Sequence, residues 1–180
     1  MAATVLIRRL TGAGPTLTDI TSINTRANAE DAHTTAGTSN SILVPSAGTN
    51  YSYWVTTRLD VTAITAGTVN NIKWYTDGAN NLGTGVTMKM NTASSYVQAT
   101  GTAGTSGTQL TTGNHAGLAG APTDAFAFTS GSPKSVSGTT SSVSSTFADM
   151  VVYQIEVGTT AAAGATGSET LTWQYDDTSS

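Results

Sequence analysis

Between Tyr51 and Ile64 the side chains take turns. Tyr51, Tyr53, Val55, Leu59, Val61 and, after one slip, Ile64 form one series, set against Ser52, Thr56, Arg58 and Thr62. A period of two marks a half-buried β-strand, because successive side chains leave an extended backbone on opposite faces. Trp54 falls out of phase with Tyr53 and Val55, so it is expected on the other face of its sheet. The same rhythm returns in Asn71–Tyr75, with Ile72 and Trp74 against Lys73 and Tyr75, and in Val86–Met90, with Val86, Met88 and Met90 against Thr87 and Lys89. Met150–Val157 and Glu169–Tyr175 repeat it through Val151, Tyr153, Ile155 and Val157, and through Leu171, Trp173 and Tyr175. Thr is β-branched and suits a pleated backbone, so 36 threonines bias the chain further toward sheet.

Shorter candidate strands are Thr4–Leu10, Ser41–Val44, Tyr96–Ala99 and Ala125–Thr129, the last carrying Phe126 and Phe128. Roughly eight or nine strands with turn residues between them predict an all-β fold, an antiparallel β-sandwich or jelly roll with long Gly/Ser/Thr-rich loops. Asp77-Gly78-Ala79-Asn80-Asn81 is turn chemistry, so Asn71–Tyr75 and Val86–Met90 are expected to pair as an antiparallel hairpin with a wide loop. Thr25–His33 is free of Gly and Pro but lacks apolar residues at helical spacing, and is read as one short surface turn.

Of 180 residues, 98 are Thr, Ser, Ala or Gly, and two stretches, Thr100–Gly120 and Ser130–Ser145, hold little else. Such segments bury too little apolar area to offset their chain entropy alone, so they read as long loops ordered by a neighbour. One domain is expected: residues 1–40 as an N-terminal arm with one short strand, able to lie over another subunit, and residues 41–180 as the sandwich.

Seven basic and 11 acidic residues give a net charge of −4, which argues against a phosphate-neutralising surface and hence against nucleic acid as a partner. The doublet Arg8–Arg9 reads as a solvated strand edge. Without cysteine there is no disulfide, thiolate catalysis or zinc–thiolate site. Apolar runs fall far short of the roughly 20 residues that cross a bilayer, and the N-terminus lacks a signal-peptide core, so neither membrane nor export is expected.

Catalytic motifs are absent. His33 and His115 lie in polar, loop-like contexts with no Gly-x-Ser-x-Gly elbow, and His115 sits in a Gly-rich loop that a partner could reach. A glycosidase needs two carboxylates flanking a sugar; Asp77 and Glu156 are candidates, but no spacing singles out a pair. Glu156 and Glu169 would neighbour one another if their strands pair antiparallel. Oxygen ligands for a calcium could come from Asp77, Asn80 and Asn81 or from Asp176 and Asp177, although the EF-hand spacing is missing and turn formation explains the first group. Gly83-Thr84-Gly85 lacks the third glycine and the helix of a phosphate cradle. No cofactor is expected. Trp54, Trp74 and Tyr75 are candidate interface or sugar-stacking anchors, with core packing the alternative for residues at alternating strand positions.

Four phrases, Asn24-Thr-Arg-Ala-Asn-Ala-Glu-Asp31, Gly48-Thr-Asn-Tyr-Ser-Tyr-Trp54, Asn71-Ile-Lys-Trp-Tyr-Thr-Asp-Gly78 and Glu169-Thr-Leu-Thr-Trp-Gln-Tyr-Asp176, taken with the Thr/Ser/Ala/Gly bias, resemble small structural proteins of tailed-bacteriophage virions, in particular capsid decoration (cement) proteins. The resemblance spans most of the chain but carries no binding residue across. It implies a non-enzymatic protein on the capsid surface that binds the major capsid protein and itself, as a dimer or trimer. Related sandwich modules in phage tails, necks and fibres make a carbohydrate- or receptor-binding role the alternative.

Overall fold

The computed structural model describes residues 2–178. Twelve strands follow one another: β1 (Thr4–Thr11), β2 (Thr16–Asp19), β3 (Thr49–Tyr51), β4 (Val55–Ala63), β5 (Val69–Tyr75), β6 (Val86–Ala93), β7 (Gly101–Thr102), β8 (Ser106–Gly107), β9 (Thr123–Asp124), β10 (Lys134–Ser135), β11 (Met150–Gly158) and β12 (Thr172–Asp177). A 3-10 turn, Ala125–Ala127, is capped by the Asp124 carboxylate accepting from the Phe126 amide. The fold is an all-β antiparallel sandwich.

The larger sheet runs in the order β2, β1, β4, β11, β6, β9, with β3 also paired to β11, and the smaller one runs β10, β5, β12. β7 and β8 form a separate two-stranded pair. The core lies between the two large layers. Val55, Leu59, Met88, Met90, Val151 and Tyr153 project from the larger sheet onto Ile72 and Trp74 of the smaller, all nearly sealed from solvent. Each such side chain contributes about 1.5–3 kcal/mol by leaving water.

A bulge interrupts the start of the Tyr51–Ile64 rhythm, and the slip before Ile64 coincides with a separate register shift, Thr4↔Ala63 to Val5↔Val61. β3 meets β11 at Tyr51↔Glu156 and β4 meets it at Val55↔Tyr153, so three residues, Ser52 to Trp54, oppose two. Ser52 stays bonded to β11 through its amide and hydroxyl, while the Tyr53 amide turns away to the Asn28 carbonyl. Trp54 lies on the outer face of the larger sheet, as its phase predicts, and the extra residue turns Tyr53, which shares the phase of Val55, into the same second cluster with Ala93, Ala99, Leu110 and Val152.

Several expectations change. β5 and β6 form no hairpin: β5 pairs with β10 and β12 in the smaller sheet, and β6 with β11 and β9 in the larger. The turn at Asp77–Asn81 therefore carries the chain between layers. β11 and β12 likewise lie in different sheets, so Glu156 and Glu169 are not cross-strand neighbours. Ser41–Val44 and Tyr96–Ala99 are not strands, and Ala125–Thr129 contains the 3-10 turn. Residues 1–40 contain two strands rather than one, and both belong to the larger sheet.

The long Thr100–Gly120 segment is anchored by its own chain. Leu43 donates to the Thr105 carbonyl, Gly104 to that of Ala29, Ser94 to that of Gly117, and Ala119 to that of Thr92. Gly107 sits so close to the bulge that a Cβ there would overlap the Ser52 carbonyl. Only glycine lets the loop approach that backbone.

Candidate binding cleft

The smaller sheet has three strands and the larger has seven, so the inner face of the larger one is only part-covered. The remainder opens into a cleft of about 970 Å³. Its floor reaches Thr57, Tyr153, Ile155 and Met88; one wall is built from residues 20–28 and 35–44, the other from residues 161–171. Leu171, Trp173 and Trp74 close the side toward the smaller sheet. Ile23, Leu43 and Val44 stand on the rim, 48%, 52% and 39% exposed. They are three of the five large apolar side chains exposed among the described residues, a concentration that marks a contact surface.

The first wall hangs on Arg9. Alternation places Arg9 on the same inward face as Val5 and Ile7, and it is 2% exposed rather than solvated. Its Nη1 donates to the Thr25 hydroxyl and to the Arg26 carbonyl, both at 2.6 Å. Burial draws its pKa below the ordinary value, opposed by the nearby Tyr153, Asp31 and Glu30. Asp31 in turn accepts from the Gly12 amide and Gln98, and Glu30 holds Asn28 and Asn40. Burial and Asp31 push the Tyr96 phenol up, which keeps it a neutral donor to the Gly12 carbonyl. Arg8, the other half of the doublet, points outward and pairs with Asp60 at 3.0 Å.

Two acceptors bordering the cleft lack a donor. Asn28 is 2% exposed and its Oδ1 has no partner, while Glu169 uses Oε1 for the Asn81 amide and leaves Oε2 unmet. Buried acceptors without donors are costly, so these two are strained points in the cleft walls. Arg26 and Glu169 are the charged residues of the lining, and together they leave it neutral.

The residues singled out from sequence lie mostly elsewhere. Trp54 is 4% exposed, with its indole donating to the Val97 carbonyl at 3.0 Å, and Trp74 is wholly buried opposite Trp173. Trp54 offers no face to a ligand, and Trp74 borders the cleft without exposed surface of its own. Tyr75 is half-buried. Asp77 turns back to the Ala79 amide after β5, and Glu156 on the outer face of β11 accepts from Thr87, so the pair forms no catalytic site. Asp176 holds Asn71 and Asp177 accepts from the Ala3 amide, while Asn80 serves its own loop through Leu82 and Val86. Among the described residues no group of three or more His, Cys, Asp or Glu could hold a metal ion. No helix there is long and apolar enough to cross a membrane. Sequence reasoning missed Asn28 and Trp173 as cleft residues and Arg9 as the support of a cleft wall; for Arg9 the available signal was a basic residue in the apolar phase of β1.

His115 is buried, not open to a partner. It packs edge-on against Trp54 with ring centroids 5.6 Å apart, and neither ring nitrogen has a hydrogen-bond partner. Burial lowers its pKa, with its own backbone opposing. A histidine held neutral in the fold protonates first in the unfolded chain. Its stabilising contribution is therefore complete above about pH 6.5 and declines as pH falls from there toward the folded pKa. His33, lowered by burial and by Arg9, acts in the same direction. Replacing His115 with leucine should flatten the fall in urea midpoint between pH 7.5 and 5 and leave the neutral-pH midpoint unchanged or higher; an unchanged slope would assign the acid sensitivity to other groups.

Compared with protein-family models, curated proteins and solved structures, the chain matches none.

Proposed function

We propose that the chain is a non-enzymatic structural protein of a tailed-phage virion that decorates the outer capsid, binds the major capsid protein, assembles with itself as a dimer or trimer, and stabilises the shell. The observation that carries this reading is the part-covered sheet with its aliphatic rim, Ile23, Leu43 and Val44, which suits contact with another protein better than chemistry on a small molecule. The phrases Asn24–Asp31 and Glu169–Asp176, which resemble decoration proteins, lie along or beside the cleft walls. Repetition over a shell adds avidity, so one modest patch per subunit suffices.

Incubated with expanded capsids of its phage, the protein should sediment with them at a fixed copy number per shell and raise the shell's melting temperature. Protein that stays in the supernatant, and is missing from purified particles, would overturn the reading. A glycan-binding sandwich of a tail, neck or fibre is the second reading. Trp173 beside the cleft favours it, whereas burial of Trp54 and Trp74 removes the aromatic platform first considered. A glycan array distinguishes the two.

A further inference from the structure

We propose that the cleft receives an extended, uncharged strand from a partner chain, which pairs with the open edge of β12 and lays alternate apolar side chains on the cleft floor. The proposal rests on the reading of the protein as an assembling component and names what it would grip. Val136 donates to the Ile72 carbonyl on the β10 side of β5, so the neighbouring residues Lys73 and Tyr75 turn their backbone groups toward β12. Gln174 and Thr172 are their partners. Trp173, between them, points its own N–H and C=O away from β5, and among the described residues no strand pairs with that side of β12. Leu171, Trp173 and Trp74 line the cleft while no β10 residue does, which places the cleft on the open side of the smaller sheet.

An edge of this kind recruits a strand, since only an extended backbone satisfies its donors and acceptors in series. The other features select the strand's chemistry. Arg26 and Glu169 cancel, so the lining favours a neutral occupant over an acidic or basic one. Ile23, Leu43 and Val44 present aliphatic surface that alternate apolar side chains of a strand would cover and a sugar's hydroxyls would not. At about 970 Å³ the space lies at the top of the range for small-molecule pockets, which is ample for a segment of several residues.

The test is selection of a displayed library of random heptapeptides on the full chain. Enriched peptides should be uncharged and alternate apolar with small polar residues, and a synthetic copy should slow amide exchange at Trp173 while binding about tenfold more weakly to a Leu43→Asp, Val44→Asp double variant. Both substituted residues are exposed, so the variant should keep the wild-type melting temperature. Failure to enrich, peptides without alternation, unchanged affinity for the variant, unchanged exchange at Trp173, or a glycan that competes for the cleft would each overturn the proposal. The two readings separate on capsids: wild-type and variant protein binding shells equally sinks the strand site alone, whereas peptide binding without shell binding sinks the capsid role alone.

Discussion

Truncating Arg9 to alanine should cost the fold about 3–5 kcal/mol, read as a lower urea midpoint at unchanged slope. Two terms add. The guanidinium makes two charge-assisted bonds, to Thr25 and to the Arg26 carbonyl, and hydrogen bonds of that kind contribute about 1.5–3 kcal/mol each. The side chain is also among the largest fully buried ones, so its removal leaves a void beside Thr57 and Tyr153. Against this stands the burial of a charge whose Nε has no partner, which already strains the native state and lowers the net loss. Arg9→Met separates the terms, because it keeps most of the volume and loses only the polar part; it should fall about midway between wild type and alanine. The two bonds tie residues 25 and 26 to the sheet, so both variants should speed amide exchange across the first cleft wall and weaken any ligand the cleft holds. A loss below about 1 kcal/mol for alanine would mean that packing of Ala27 and Ala29, not Arg9, holds that wall.

Periodicity carried the strands well and their pairing poorly, for a physical reason. Met150–Val157 and Thr4–Leu10 fall within one residue of β11 and β1, because each is a β-branched and aliphatic run bounded by polar or turn residues. Which strand sits beside which depends on long-range fit of those faces. Local turn chemistry suggested a β5–β6 hairpin, yet the apolar faces of Ile72 and Trp74 on one strand and Met88 and Met90 on the other meet across the core instead of side by side. Ser41–Val44 shows the opposite error. Its apolar run looks like a strand but covers the rim of a cleft, where no strand among the described residues pairs with it. The cleft itself left little trace, since its walls, residues 20–28 and 35–44 on one side and 161–171 on the other, carry no binding or catalytic motif. Arg9 differs in one legible respect: it shares the phase of Val5 and Ile7, and phase, rather than charge, decided its burial.

Gln154→Leu should cost a similar amount, about 3–5 kcal/mol, and would settle what orders the long Thr100–Gly120 segment. Gln154 lies on the outer face of β11, 1% exposed, and its amide makes three bonds: Nε2 donates to the Ser52 carbonyl at 2.7 Å and to the Thr108 carbonyl at 2.8 Å, and Oε1 accepts from the Leu110 amide at 2.6 Å. One side chain thus joins the bulge, the central strand and the loop. Leucine has nearly the same bulk but satisfies none of the three backbone groups, and each orphan costs about 1–3 kcal/mol if it stays dry. Water can reach them only if the loop lifts, which uncovers Trp54, Leu110 and Val152. The loss should therefore appear first as local opening, with fast exchange at the His115 and Ala119 amides and a red shift in Trp54 emission before the global transition. In the wild type those amides should be protected in the isolated chain at any concentration, since bonds to Ala29, Leu43, Thr92, Ser94 and Gln154 of the same chain hold the segment. Exchange that is slow only when the protein is concentrated or bound to a shell would return the ordering of this loop to its neighbours.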